Sequence, residues 1–181
     1  MNHSQIAVRY AKAFFQLMLE KQKLDSVISD VHFLYSTIDD IEEFRDLLHN
    51  PIIKVSKKKD VIVSLFESKI SKETVQFLVL IVEHSREAFL QDILRNYIDM
   101  YRHYSGIKKV VIHSATQFST SHISEITQYV KDIYKTDVEF EEFVDEDLVG
   151  GFVLRIDDLQ FDASVRQKIK KLRKELLSQA V

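Results

Sequence analysis

Sharp turns call for glycine or proline, and this chain has three glycines and one proline in 181 residues. A backbone so short of turn residues lies mostly in helix, with Ser, Asp and Asn side chains marking the joints. The few breakers then divide the sequence. Pro51 follows Asn50, Gly106 stands alone, and Gly150 and Gly151 are adjacent. Before Gly106 the apolar residues recur at three- and four-residue intervals; beyond it, stretches of strict alternation enter.

The first part predicts six helices. Ser4 is placed to cap a helix over residues 5–21. On it Ile6, Tyr10, Ala13 and Leu17 form one apolar line, Ala7, Ala11, Phe14 and Met18 the next, and Phe15 and Leu19 widen the arc. That is more than a two-layer contact uses, so the helix sits deep in a bundle or leaves one line for a partner. A second helix over about 23–38 carries Leu24, Val27, Ile28, Val31, Leu34, Tyr35 and Ile38. A short third, with Ile41, Phe44, Leu47 and Leu48, ends before Asn50-Pro51. Ser56 is expected to cap a fourth, bearing Val61, Ile62, Leu65 and Phe66, and Ser71 a fifth over 72–84. Between Val75 and Val82 the fifth is apolar nearly all round, which makes it the central helix. The sixth restarts at Ser85, carries Phe89, Ile93, Leu94, Tyr97, Ile98 and Tyr101, and stops at Gly106, where a C-cap glycine belongs. These segments define an all-α six-helix bundle domain over residues 1–105.

Residues 106–181 read as a small α+β domain in the order strand, helix, strand, strand, helix. Val110 and Ile112 lie in a β-rich run, a helix near 120–135 carries Ile123, Ile126, Val130 and Ile133, and VEFEEFV places Val138 and Phe140 on one strand face. Gly150-Gly151 at the next strand's entrance lets another backbone come close or permits a bulge. The pair lacks the spacing and the Lys-Ser/Thr of a phosphate loop. Phe152, Leu154 and Ile156 alternate with Val153 and Arg155, Asp157-Asp158 turns, and Leu159 and Phe161 bring the backbone back. Asp162 or Ser164 caps the last helix, with Val165, Ile169, Leu172 and Leu176 on one stripe and lysines and arginines around it. Acids crowd between Asp137 and Asp147, and bases between Arg166 and Lys174, where they suit the helix dipole.

Several chemistries find no support. A net charge of −3 and a pI near 6.2 argue against nucleic acid as the main partner. Lys57-Lys58-Lys59, Lys108-Lys109 and the last helix are the only basic clusters; no glycine-aromatic strand accompanies them, and the lysine triplet reads as a solvated helix start. There is no cysteine, hence no disulfide, thiolate site or thiol nucleophile. The histidines His3, His32, His49, His84, His103, His113 and His122 show no i,i+3 or i,i+4 pair, so neither metal nor cofactor is expected. Glu141 and Glu142 are adjacent in a strand and point to opposite faces, which excludes a carboxylate pair. The longest apolar run, Phe77 to Val82, is six residues, against the roughly 20 a spanning helix needs. The N-terminus has neither a secretory nor a transit pattern. A soluble intracellular protein without catalytic residues is expected, joined to a membrane only through a partner.

One ordered set of residues narrows this further. Val138, Phe140, Val144, Asp145, Leu148, Gly150, Gly151 and Phe152, then Asp162, Ser164, Val165 and Arg166, resemble the C-terminal signature of the F-type ATP synthase delta subunits, the oligomycin-sensitivity-conferring protein family. Ala163 departs from it, standing where the family often has glycine. Val8 to Phe14 resembles the family's opening motif, and Glu83, Arg86 and the helix up to Tyr101 its fifth and sixth helices. The resemblance implies a non-catalytic stator subunit of a rotary, proton-transporting synthase. Residues 1–105 would grip the N-terminal helix of an α subunit on the catalytic head, and residues 106–181 the b subunits of the peripheral stalk. It implies a groove between the first and fifth helices, for which Tyr10, Ala13, Phe77 and Leu80 are the candidate lining; Phe77 reads equally well as core. It also implies a peripheral place on the cytoplasmic face of a bacterial cell membrane. A generic intracellular adaptor with a helix-binding groove explains the same surplus of apolar surface and stays open.

Overall fold

The computed structural model describes residues 5–179, with backbone alone at 146, 174, 175 and 177–179. The chain forms two compact units, residues 1–103 and 104–181. The first is helical: α1 (Gln5–Glu20), α2 (Leu24–Asp40), α3 (Glu42–His49), α4 (Val55–Phe66), α5 (Lys72–Glu83) and α6 (Leu90–Ser105), with a 3-10 turn at Glu87–Phe89. The Ser4 cap expected for α1 lies outside the described residues.

One continuous apolar core draws side chains from all these helices. At its centre the ring of Phe14 lies flat on Phe77, centroids 4.0 Å apart and planes 6° from parallel, and Tyr97 tilts against Phe14 at 5.3 Å. The two lines of α1 separate: Ala7, Ala11, Phe14 and Met18 are buried, whereas Ala13 and Leu17 of the other line are exposed and Ile6 and Tyr10 half-buried. Helix α2 buries Leu24, Val27, Val31, Leu34 and Ile38, the positions its spacing marks. Helix α5 buries Phe77, Leu78, Ile81 and Val82, but it is not enclosed, since Gln76, Leu80 and Glu83 stay at the surface.

The polar joints hold two corrections. Ser71 does cap α5, and Asp30 of α2 accepts from the Ser71 N–H and the Thr74 hydroxyl, each at 2.9 Å, which ties α2 to the start of α5. Ser56, however, lies inside the first turn of α4, which begins at Val55 with Lys54 in the cap position and no side-chain cap. Lys58 is not solvated either. Its ammonium is buried, 2.6 Å from Glu87 Oε1 and 2.9 Å from the Leu48 carbonyl, so α4 is pinned to the end of α3 and to the 3-10 turn.

The second unit runs β1 (Lys108–Ser114), α7 (Thr120–Tyr134), β2 (Val138–Val144), a 3-10 turn at Glu146–Leu148, β3 (Phe152–Ile156), β4 (Leu159–Asp162) and α8 (Val165–Gln179). The sheet order is β2-β1-β3-β4. β1 pairs parallel with β2, through the α7 crossover, and antiparallel with β3; β3 pairs antiparallel with β4. The return after Asp157-Asp158 is thus a full edge strand, one more than expected. Among the described residues of this unit, Val110, Ile112, Val130 and Leu148 are the buried apolar ones. Glu141 and Glu142 do diverge: Glu141 pairs with Lys109 at 2.8 Å, while Glu142 accepts from the Phe118 N–H at 2.6 Å. The chain is therefore a helical N-terminal unit followed by an α/β C-terminal unit.

Two substitutions probe the helical core by urea unfolding of the full chain. Lys58→Met leaves the Glu87 carboxylate buried without its cation and should cost about 3 kcal/mol, most of it recovered by adding Glu87→Leu. The Tyr97 hydroxyl is buried without a hydrogen-bond partner, and burial pushes its ionisation upward. Tyr97→Phe should therefore hold or raise stability, by up to about 1 kcal/mol.

Candidate docking surfaces

The four candidate groove residues occupy three different settings. Phe77 is 9% exposed and committed to the stack with Phe14, so it belongs to the core. Tyr10 and Ala13 lie on the outer line of α1. Tyr10 reaches the end of α5, its ring 6.4 Å from that of His84, and the Arg9 guanidinium lies 5.8 Å from the centroid of the Tyr10 ring. Leu80, 42% exposed, turns toward α4.

There it lines a trough of about 640 Å³ between α4 and α5, with Val63, Val75 and Val79 as apolar walls and Glu67, Lys72, Gln76 and Glu83 on the rim. Lys59 reaches across to Glu83, and that hydrogen bond holds the Glu83 carboxyl below the usual carboxylate range. Sequence reasoning missed this trough. Its signal was the third apolar line of α5, Val75 and Val79, hidden in a run where every position looked buried.

In the second unit the signature residues converge on one clasp. Gly151 has φ +80°, and a Cβ there would stand 2.5 Å from the Ala163 carbonyl oxygen and 3.0 Å from Ser164 Cα. The expected close backbone approach is therefore real, and it occurs where β4 hands over to α8. The Ala163 N–H donates to the Phe152 carbonyl and the Val165 N–H to the Gly150 carbonyl, both at 2.9 Å. Ser164 is buried and caps α8, its hydroxyl oxygen accepting from the Gln167 N–H at 3.2 Å. Asp162 accepts from the Ser164 N–H at 2.9 Å, and the Arg166 guanidinium donates to the Asp147 carbonyl. Hydrogen bonds from the Ser164 hydroxyl and backbone N–H hold the Asp162 carboxyl below its ordinary range. A depressed carboxyl stabilises fully at neutral pH and loses that contribution only as pH falls through its lowered value.

Two apolar surfaces stay open beside the clasp. One is a trough of about 440 Å³ lined by Ile126, Tyr129 and Ile133 of α7 and Phe152, Leu154 and Ile156 of β3. The other is the stripe of α8, whose four apolar residues lie at the surface. Among the described residues, no cluster of His, Asp and Glu converges as metal ligands would, and no helix is long and apolar enough to cross a membrane.

The fold is thus a helical unit followed by an α/β unit, each with apolar surface left open. The family model for the ATP synthase delta (OSCP) subunit matches residues 6–176. The chain belongs to that family. It is 30% identical over 178 residues to the ATP synthase subunit delta of Christiangramia forsetii, covering 97% of this chain and 95% of that one. It is 32% identical over 176 residues to that of Amoebophilus asiaticus, covering 94% of each. The chloroplastic subunit delta of Guillardia theta is 30% identical over 181 residues, 99% of this chain and 98% of its own. In fold the chain matches one in the cryo-EM structure of the Toxoplasma gondii mitochondrial ATP synthase hexamer, with a TM-score of 0.81 at 20% identity, over 96% of this chain and 98% of that one.

The clasp makes a direct prediction. Gly151→Ala forces a side chain into a left-handed backbone and against the Ala163 carbonyl, and should cost at least about 2 kcal/mol by urea unfolding. Gly150→Ala meets only the Val165 side chain, at 3.0 Å, and should cost less.

Proposed function

We propose that the chain is the non-catalytic stator subunit that links the catalytic head of an F-type ATP synthase to its peripheral stalk. The observation that carries this is the family match across both units, residues 6–176. A generic adaptor accounts for open apolar troughs but not for likeness to one subunit along nearly the whole chain.

In this reading residues 1–105 act as one six-helix bundle that takes the N-terminal helix of an α subunit. The outer line of α1, with Tyr10 and Ala13, supplies one wall, and Leu80 on α5 a second apolar contact; Phe77 supports them from the core. Residues 106–181 meet the b subunits, and the complex, not a span of this chain, provides the attachment to the cytoplasmic face of a bacterial membrane. The mechanism is mechanical. Rotation of the central shaft loads the head sideways, and ATP is made by proton transport only while the head is held still. A helix lying in an apolar groove spreads that load over contacts at i, i+3, i+4 and i+7. A stable contact of this type buries on the order of 1,000 Å² or more.

Calorimetry of the full chain with the α-subunit N-terminal peptide tests the first contact. Tyr10→Asp or Ala13→Trp should weaken binding about tenfold or more, a loss of roughly 1.4 kcal/mol, with helical content unchanged. Unchanged affinity places the groove elsewhere. Failure of the chain to co-purify with the synthase from membranes in mild detergent removes the stator reading altogether.

A further inference from the structure

The sheet of the C-terminal unit ends in two edge strands, β2 and β4, and only one of them is guarded. An edge strand offers a row of unpaired N–H and C=O groups, which proteins blunt with charged side chains or proline. β2 carries Glu139, Glu141 and Glu142 along its length. β4, LQFD, has neither proline nor lysine, and its one charge, Asp162, stands at the end and accepts from the Ser164 N–H. All of β4 is exposed, Leu159 by 66% and Phe161 by 63%.

The pairing with β3 fixes which groups point outward. Hydrogen-bonded and non-hydrogen-bonded pairs alternate along an antiparallel ladder. The Ala163 N–H donates to the Phe152 carbonyl, so its alternates Phe161 and Leu159 also bond inward to β3. Gln160 and Asp162 therefore turn N–H and C=O to solvent. A strand added there meets Leu159 and Phe161 at non-hydrogen-bonded positions, where opposite side chains come closest. Those two residues stand beside Ile156 and Leu154, which already line the apolar trough against α7. An added strand thus gains main-chain bonds and apolar neighbours together.

The charges say which strand fits. Asp157 pairs with Lys108 at 2.7 Å, the same lysine attracts Asp158, Arg155 opposes Gln160, and Arg166 stands near Asp162. No single sign prevails, so a neutral strand is accepted. A second copy fits poorly. With Gln160 facing Gln160, Asp158 falls opposite Asp162; with Phe161 facing Phe161, Leu159 falls opposite Ala163, where the chain leaves the sheet. A four-residue edge also buries far less than the roughly 1,200 Å² of a stable dimer. A flexible segment needs only the main-chain bonds and alternate side chains of strand addition.

We infer that β4 accepts a neutral, extended segment of another protein, about five residues long and apolar at alternate positions, as a fifth strand of the sheet. This goes beyond the stator reading and does not depend on it. The probe is a labelled, capped heptapeptide alternating valine and threonine, titrated into the full-length chain beside the same peptide N-methylated at every amide. Fluorescence anisotropy should show the plain peptide binding at least about tenfold tighter, with less than about a twofold change as salt rises. Amide exchange followed by NMR should slow about tenfold at Gln160 and Asp162 and stay as it was at Phe161, whose N–H is already bonded. Gln160→Pro removes an outward donor and no bond to β3, and should abolish binding with the circular dichroism unchanged. Phe161→Lys, at an exposed site, should abolish it through a guarding charge. No binding up to about 1 mM, equal affinity for the two peptides, binding that survives both variants, protection on other strands instead, or a dimer that protects Gln160 and Asp162 without peptide would each overturn the inference.

Discussion

The flat stack of Phe14 on Phe77, with Tyr97 tilted against it, decides how the helical unit presents itself. Successive residues of an α-helix sit about 100° apart. Once Phe14 points inward, Ala7, Ala11 and Met18 follow it, and the line one residue earlier is rotated off the core. Ala13 and Leu17 are therefore left outside, and Tyr10 half-covered at the core's edge, by the same contact that buries their neighbours. Phe77 acts likewise on α5: with Ile81 it turns inward and sends Leu80 to the surface. The aromatic pair contributes on the order of 1 kcal/mol beyond its area, and its larger effect is orientation.

The parts of this fold that could be read in advance are those where one local pattern has one solution. The 3-4 spacing of α2 fixes its buried face, Ser71 stands where a cap accepts from Thr74, and Gly106 with φ +71° ends α6 as a C-cap glycine does. The misreadings have physical causes. Lys58 looked solvated because its partner, Glu87, is 29 residues away and invisible to local spacing. Ser56 looked like a cap because a serine near a helix start is one in many helices, yet here the helix begins two residues sooner, with Lys54 in the cap position. Leu80 was lost in a run of six apolar residues, where periodicity cannot say which is bare. β4 is four residues long, too short for alternation to announce it.

The candidate site was legible in a similar way. The adjacent glycines announced a close approach of backbones, and Gly151 meets Ala163 and Ser164. Which segment would approach could not be read, because it lies beyond a turn and a whole strand. The stripe of α8 was plain in the sequence, but the same stripe would be written whether the helix lay on its own sheet or stood clear of it. Only the anchoring of its first turn separates the two. The signature residues thus act together on geometry: they fix where a helix leaves the sheet, and so which way its bare seam faces.

The register of the sheet bears on the order in which the protein is made. β1 is an inner strand, and its two neighbours, β2 and β3, both come later in the chain. Residues 108–114 must therefore wait for residue 144 before they pair on one edge and for residue 156 before they pair on the other. The helices of the first unit thus leave the ribosome before the sheet of the second can be completed.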